Sequence, residues 1–342
     1  MRSHPIRFIA AATTMLVAVS ALTACSPKTS STDGFGNGLP TTIRIGYQIL
    51  INGDLVMKNQ KLLEKAFGPG VTIEWHLFDS GAAINQAIAG GSIDIGNMGS
   101  APTSRGIASG LKYKVLWVTD VIGSNESLVV KPGINSVQDL RGKTIAVAFS
   151  STSHYSLLAA LKDAGVAASD VNIIDSDPTS TLAAWKTGKI DATYVWDPVL
   201  SEVIADGGTV LLTSSDMADK GHATYDLNVV TDDFAAKYPA AVQVWINQEA
   251  AAVQQLLTGD EKAYASIAAE AGITIDEAKK QTGGLVYVST ADQIGDGYLG
   301  KAVGEALFAQ ASFFHGLGQI TTLPDQSVYQ KAVVTTYASA VK

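Results

Sequence analysis

Two rhythms of apolar and polar positions take turns along this chain. Residues 43–47 (Ile-Arg-Ile-Gly-Tyr) alternate with period two, residues 71–78 are rich in β-branched and aromatic side chains, and residues 144–149 (Thr-Ile-Ala-Val-Ala-Phe) form an unbroken apolar run. Such segments read as strands, the last buried on both faces. Between them lie Ala-rich segments of helical spacing, such as 86–89 and 156–164, the latter stopped by Gly165. Strands alternating with helices predict an α/β fold with largely parallel sheets. After Asp226 the rhythm changes: 234–257, 262–271, 276–280 and 297–314 read as helices, and only Asn228-Val229-Val230 looks like strand. The chain is expected to cross back into its first lobe near residues 225–231.

A short internal echo divides the α/β part. Asp79-Ser80-Gly81-Ala82 leads a helix that ends in Gly91-Ser92-Ile93-Asp94, and Asp177-Pro178-Thr179 leads another that ends in Gly188-Lys189-Ile190-Asp191. The repeat implies two similar lobes, with Asp94 and Asp191 in structural roles at a turn or strand edge.

The N-terminus bears on location. Arg2, His4 and Arg7 precede a run from Phe8 to Leu22 that is short for a membrane span and ends in small residues, as a secretory signal does. Leu22-Thr23-Ala24-Cys25 looks like a bacterial lipobox, with Cys25 lipidated. Residues 1–24 are therefore expected to be a lipoprotein signal peptide and 25–41 a Gly- and Ser-rich tether. The protein would be exported and held at the outer face of the cytoplasmic membrane. Cys25 is the sole cysteine, so a disulfide within the chain and a thiolate metal cluster are excluded. The net charge of −8 without a basic stripe argues against nucleic acid as a partner.

Candidate chemistry collects at strand ends. Asp79-Ser80-Gly81, Gly99-Ser100-Ala101-Pro102, Ser151-Thr152-Ser153-His154 and Trp196-Asp197-Pro198 each follow a strand and open a helix. Each turn is first a helix cap. Gathered beyond the carboxyl ends of parallel strands, four such helix N-termini also suit an anion such as a sulfonate or carboxylate. The five histidines form no metal motif; His222 and Asp226, four apart, are the one pair that a helix would place on one face. There is no Gly-x-Ser-x-Gly elbow and no phosphate-binding loop, so neither catalytic residues nor a cofactor or metal are expected. The tryptophans are scattered and read as core, except Trp196 at a strand end.

Several stretches resemble the taurine-binding proteins of bacterial ABC importers, within the taurine, aliphatic-sulfonate and nitrate solute-binding family. They are residues 78–82, 95–102, 123–130, 151–162 (Ser-Thr-Ser-His-Tyr-Ser-Leu-Leu-Ala-Ala-Leu-Lys), 194–196 and 224–226. The similarity runs in order from about residue 43 to 230 and weakens beyond. It implies a type II periplasmic-binding-protein fold: two α/β lobes with mixed sheets joined by a two-strand hinge, closing on ligand. Lobe 1 would be 42–126 with 227–342, and lobe 2 would be 127–226. The implied partners are a small zwitterionic sulfonate and the permease and ATPase subunits of an importer, with the protein itself a monomer.

In that reading Ser80, Ser100, Thr152 and Ser153, with Ser151, His154 and the helix N–H groups beside them, hold the sulfonate. Asp226 takes the ammonium, with Asp79 and Glu126 as reserves, Trp196 and Tyr155 wall the ethylene spacer, and Gln48 closes one pole. Trp196-Asp197-Pro198 departs from the taurine binders towards the aliphatic-sulfonate binders, which keeps alkanesulfonate, hypotaurine or another small anion as alternatives. The same fold also hosts pyrimidine-synthesising enzymes with Cys-rich sites, which a single lipidated cysteine does not fit.

Overall fold

The structure is a computed structural model that describes residues 38–341. The signal sequence, Cys25 and most of the tether lie outside these residues. Two sheets organise the chain. The first has the order β11-β4-β10-β3-β1-β2, formed by β1 (Thr42–Tyr47), β2 (Thr72–Leu77), β3 (Ile95–Gly99), β4 (Tyr113–Ile122), β10 (Tyr225–Thr231) and β11 (Leu285–Tyr287). The second has the order β7-β6-β8-β5-β9, formed by β5 (Glu126–Val130), β6 (Thr144–Val147), β7 (Asn172–Asp175), β8 (Ala192–Trp196) and β9 (Thr209–Thr213).

Both sheets are mixed, where alternation alone predicts mostly parallel ones. The strands linked through helices, β1, β2 and β3 in one sheet and β6, β7 and β8 in the other, are parallel. The antiparallel strands, β10 against β3 and β4, and β5 against β8 and β9, are those next to the two crossings between sheets. A chain entering a sheet from its neighbour arrives at the shared edge and runs away from it, against the βαβ strands. The crossings are residues 123–125, between β4 and β5, and residues 220–224, before β10.

The apolar runs are buried as their patterns demand. Leu128, Val130, Ile145 and Val147 face one core of the second sheet, while Val129, Ala146 and Val195 face another on its opposite side. A sheet covered on both faces reads in sequence as continuous apolar strand rather than alternation. Trp117, Trp185 and Trp245 are fully buried, as scattered core tryptophans should be.

The internal echo is an echo in hydrogen bonding. Asp94 Oδ2 accepts the N–H of Arg44 on β1 (2.9 Å), its own N–H donates to the Arg44 carbonyl, and its carbonyl accepts from Thr231 N–H. In the second sheet Asp191 Oδ2 accepts the N–H of Thr144 on β6 (2.8 Å), its N–H donates to the Thr144 carbonyl, and its carbonyl accepts from Lys131 N–H. Both aspartates clasp the turn before a strand to the first of the three parallel strands in their own sheet, β1 and β6.

The C-terminal part is helical, as its spacing predicts, with two differences. The long segment after Asp232 breaks at Tyr238 into helices Asp232–Lys237 and Pro239–Leu257, because Pro239 suits a first helical turn and not an interior. The three-residue β11 at a sheet edge carries too few residues for a period-two pattern to register. Helix Ala302–Gly316 reaches across to the second half, where Phe313 and Phe314 pack edge-on to Tyr155 at 5.2 and 5.9 Å. Among the described residues no helix is long and apolar enough to cross a membrane.

Candidate functional site

The sheets meet across a cleft lined from one side by Gln48, Leu50, Gly81, Gly99, Pro102, Ile122 and Asp226. From the crossing and the other side come Asn125, Glu126, Ser151, Thr152 and Trp196. Gln48 follows β1, Gly99 ends β3, Ile122 ends β4 and Trp196 ends β8, so the site lies beyond strand carboxyl ends, the usual place in α/β sheets. Gly81 and Thr152 are the first residues of helices Gly81–Ala89 and Thr152–Asp163, which approach from opposite halves. The enclosed volume is about 20 Å³, close to that of a single water-sized sphere. The cleft as it stands has no room for a molecule larger than water.

Glu126 organises the wall on the second side. Its Oε2 accepts from the hydroxyls of Thr152 (2.6 Å) and Ser153 (2.7 Å), and its Oε1 from Ser214 (2.7 Å), whose oxygen is approached by Tyr194 OH at 3.0 Å. The hydroxyls of Thr152 and Ser153 thus serve the chain's own carboxylate instead of pointing to a ligand. Burial pushes the Glu126 carboxyl up, and the three hydroxyl donors counter it. What remains at this helix end are the N–H groups of its first two residues, which have no acceptor within the helix.

Behind Asp226 the first half buries more acid. Asp226 on β10 stands directly opposite Asp120 on β4, which sets the two carboxyls side by side, and the oxygens of Asp120 have no hydrogen-bond partner among the described residues. Asn52 lies beside Asp120, and beyond lie Asp54, Glu249 and Asn228, with the oxygens of both acids unpartnered among the described residues. Asp54, Asp120 and Glu249 are at most 2 % exposed. Desolvation, followed by the charge of Glu126, raises Asp226 to about 7. Desolvation raises Asp54 to about 6, and it lifts Asp120 and Glu249 well above the carboxylate range. No Lys, Arg or His lines the cleft.

Titration of these groups fixes a sign. Between pH 6.5 and 8 carboxyls of the unfolded chain have lost their protons, while those of the folded chain retain several. Stability therefore falls as pH rises through this window. Burial lowers His154 to about 4, and its opposing effect is confined to pH below its ordinary value of 6.5. The unfolding midpoint should be lower at pH 8 than at pH 6.5; a midpoint that climbs over this interval contradicts the protonated acids.

Of the residues expected from sequence, Gln48, Glu126, Ser151, Thr152, Trp196 and Asp226 meet in the cleft, with Ser153 joined through Glu126. The others lie elsewhere. Ser80 accepts the Ala83 N–H as a helix cap, and Asp79 lines an outer crevice beyond Gln48 and Trp196. Ser100 Oγ accepts from Tyr225 N–H (3.2 Å) and Gln310 Nε2 (3.0 Å), which ties it to β10 and the C-terminal helix. His154 stacks on Phe149 at 4.7 Å, and its Nδ1 accepts the Ser150 N–H. The Tyr155 hydroxyl meets His222 Nδ1 at 3.3 Å, away from the cleft, and the other His222 nitrogen meets Asp163 at 3.2 Å. His222 and Asp226 share no helix face, since Asp226 is on a strand and His222 lies in the crossing before it. Asp197 caps its own helix through the Ser201 N–H and hydroxyl.

Sequence reasoning passed over Asn125, Asp120 and Glu249. A usable signal existed for the last two. Asp120 is a charge in the buried, mostly apolar part of β4 after Lys114, and Glu249 falls in the stripe Val242, Trp245, Ile246, Val253, Leu256 that Pro239–Leu257 buries. A charge on a core stripe departs from the local pattern in the way functional groups do.

Comparison with known proteins agrees with this geometry. Residues 71–270 match the family described as NMT1/THI5 like. The chain is 34 % identical over 267 residues to the taurine-binding periplasmic protein of Escherichia coli (strain K12), a match covering 76 % of this chain and 82 % of that protein. It is 34 % identical over 185 residues to a putative aliphatic sulfonates-binding protein of the same organism, covering 53 % of this chain and 58 % of that one. Its fold superposes on the alkanesulfonate-binding protein SsuA from Xanthomonas axonopodis pv. citri bound to MOPS with a TM-score of 0.71 at 23 % identity, over 87 % of this chain and 99 % of that one. The chain belongs to the NMT1/THI5-like family and, with it, to the family of the periplasmic taurine- and sulfonate-binding proteins.

Proposed function

We propose that this chain is the extracytoplasmic binding lipoprotein of an ABC importer and that it holds taurine, or a close analogue, between its two lobes. The observation that carries the ligand is the cleft's charge. Buried carboxylates with no cationic side chain among the lining residues suit an ammonium, while two facing helix N-termini suit an anion. A zwitterion with both ends in reach satisfies both.

The ammonium lies against Asp226, with Glu126 across the cleft. The sulfonate takes the free N–H groups at the starts of Gly81–Ala89 and Thr152–Asp163 and the amide of Gln48, which in the shut cleft donates to the Asn97 carbonyl at 3.3 Å. Trp196, packed with Leu50 and Ala148, walls the spacer. The lobes are the expected 42–126 with 227–342 and 127–226, corrected at their edges because Glu126 begins β5 of the second sheet and Tyr225 and Asp226 begin β10 of the first; they part by rotation at the two crossings and close on the ligand, which is released unchanged to the permease. Lipidation of Cys25 tethers the monomer near that permease. The identity to the taurine-binding periplasmic protein supports this reading.

Titration calorimetry on the full chain tests it. Taurine should bind at least tenfold more tightly than ethanesulfonate, which lacks the ammonium, and sulfate should be weaker still. Equal affinity for taurine and ethanesulfonate removes the zwitterion from the proposal and leaves an alkanesulfonate binder.

A further inference from the structure

Asp120 has no place in the binding scheme above, yet its position is unusual. It is fully buried in β4, directly opposite Asp226, and its oxygens have no hydrogen-bond partner among the described residues. Two like charges side by side out of water do not both persist. One of the pair is therefore a carboxylic acid. Asp226 reaches the cavity and Asp120 does not, so the member nearer to water and ligand is the one that ionises.

The groups around the pair are almost all acidic. Glu126 faces it from β5, Asp54 from helix Gly53–Asn59, and Glu249 from helix Pro239–Leu257. Tyr287 approaches from β11, its hydroxyl donating to the Ile51 carbonyl at 2.6 Å. Asn52 is the neutral neighbour. No cation among them favours a second ionisation.

We propose that Asp120 is a specificity-determining residue: it keeps a proton, donates it in a hydrogen bond to Asp226, and so fixes the cleft's ammonium pole at a single negative charge. The inference rests on the taurine reading, because it assigns the ammonium to Asp226. Its consequence is that binding is linked to a proton. When both carboxyls are protonated in the free protein, seating an ammonium expels one proton, from Asp226, into solvent; when only Asp120 is protonated, none is released.

Calorimetry of the full chain with taurine should show affinity falling by about tenfold per pH unit below about 7, the point at which Asp226 ionises. In buffers of different ionisation enthalpy, close to one proton should be released per taurine at pH 5.5 and close to none at pH 8. Asp120→Asn keeps a donor towards Asp226 and should bind taurine within about threefold of the parent, with the acid limb retained. Asp226→Asn should lose at least a hundredfold. Infrared spectra of the ligand-free chain at pH 8 should contain a protonated-carboxyl band that Asp120→Asn removes.

A flat pH profile, or an Asp120→Asn loss as large as that of Asp226→Asn, overturns the proposal. An unchanged infrared band does so without reference to any ligand. If Asp120→Asn fails to fold, proton release by the parent chain still decides. Failure of the parent to bind taurine at every pH sinks the taurine reading, and the selectivity with it, even where the infrared band shows a proton on Asp120.

Discussion

Asp226→Ala should weaken taurine binding by about 3–5 kcal/mol, the usual cost of leaving one member of a buried charge pair alone, or about two to three and a half orders of magnitude in Kd. The size follows from where the charge sits. Asp226 is 5 % exposed and lines a cavity closed to about 20 Å³, so water cannot replace it beside the ammonium. Ethanesulfonate is the control. It brings no ammonium, so the same substitution should leave its binding unchanged or slightly improved, since a repelling carboxylate has gone. The fold should survive, because the substitution removes a group whose ionisation opposes folding at neutral pH. Calorimetry with the two ligands, on parent and variant, gives the comparison; an Asp226→Ala chain that holds taurine as well as its parent refutes the assignment of the amine.

Gly99→Val acts on closure rather than on contact with the ligand. Gly99 ends β3 with φ −60°, a conformation open to any residue, so the substitution strains no backbone. Its obstacle is the other half of the molecule: a Cβ at this position would lie 2.6 Å from Thr152 Cγ2 and 3.4 Å from Thr152 Oγ1. Thr152 is not free to turn away, because its hydroxyl donates to Glu126. A valine here should wedge the lobes apart. Taurine affinity should fall tenfold or more, and solution scattering with taurine present should give a larger radius of gyration than the parent's. Unfolding of the ligand-free variant should stay near that of the parent. A Gly99→Val chain as compact as its parent, with unchanged affinity, places the moving surfaces somewhere other than Gly99 and Thr152.

Features that depend on neighbours along the chain were legible in the sequence. Ser80, Ser151 and Asp177 cap the helices they precede, and the strand-end turns lie at the carboxyl ends of parallel strands. The paired aspartates Asp94 and Asp191 hold equivalent turns. Features set by strand pairing were not legible. Nothing in one sequence places Asp120 across from Asp226, since β4 and β10 are separated by the whole second sheet. Nor does it show that Glu126 takes the hydroxyls of Thr152, Ser153 and Ser214, which a reading of the 151–154 turn alone gives to a ligand. Ser100 misled for the same reason: its turn was read correctly, but its hydroxyl had been claimed by Tyr225 and Gln310 from distant parts of the chain.

The twin clasps of Asp94 and Asp191 bear on how so small a molecule can be noticed by a large machine. Each stitches a turn back to the first of the parallel strands in its own sheet, so neither half has slack at the point where a neighbouring strand is joined. Two stiff bodies linked by two thin crossings behave as levers. Force applied near the fulcrum is not absorbed by bending within either arm, and a fraction of an ångström at the cleft becomes a larger sweep at the outer surfaces. In the proposed scheme of closure such a geometry would amplify the ligand's arrival, and the reach of that signal would be set by the length of the arms and not by the size of what they hold.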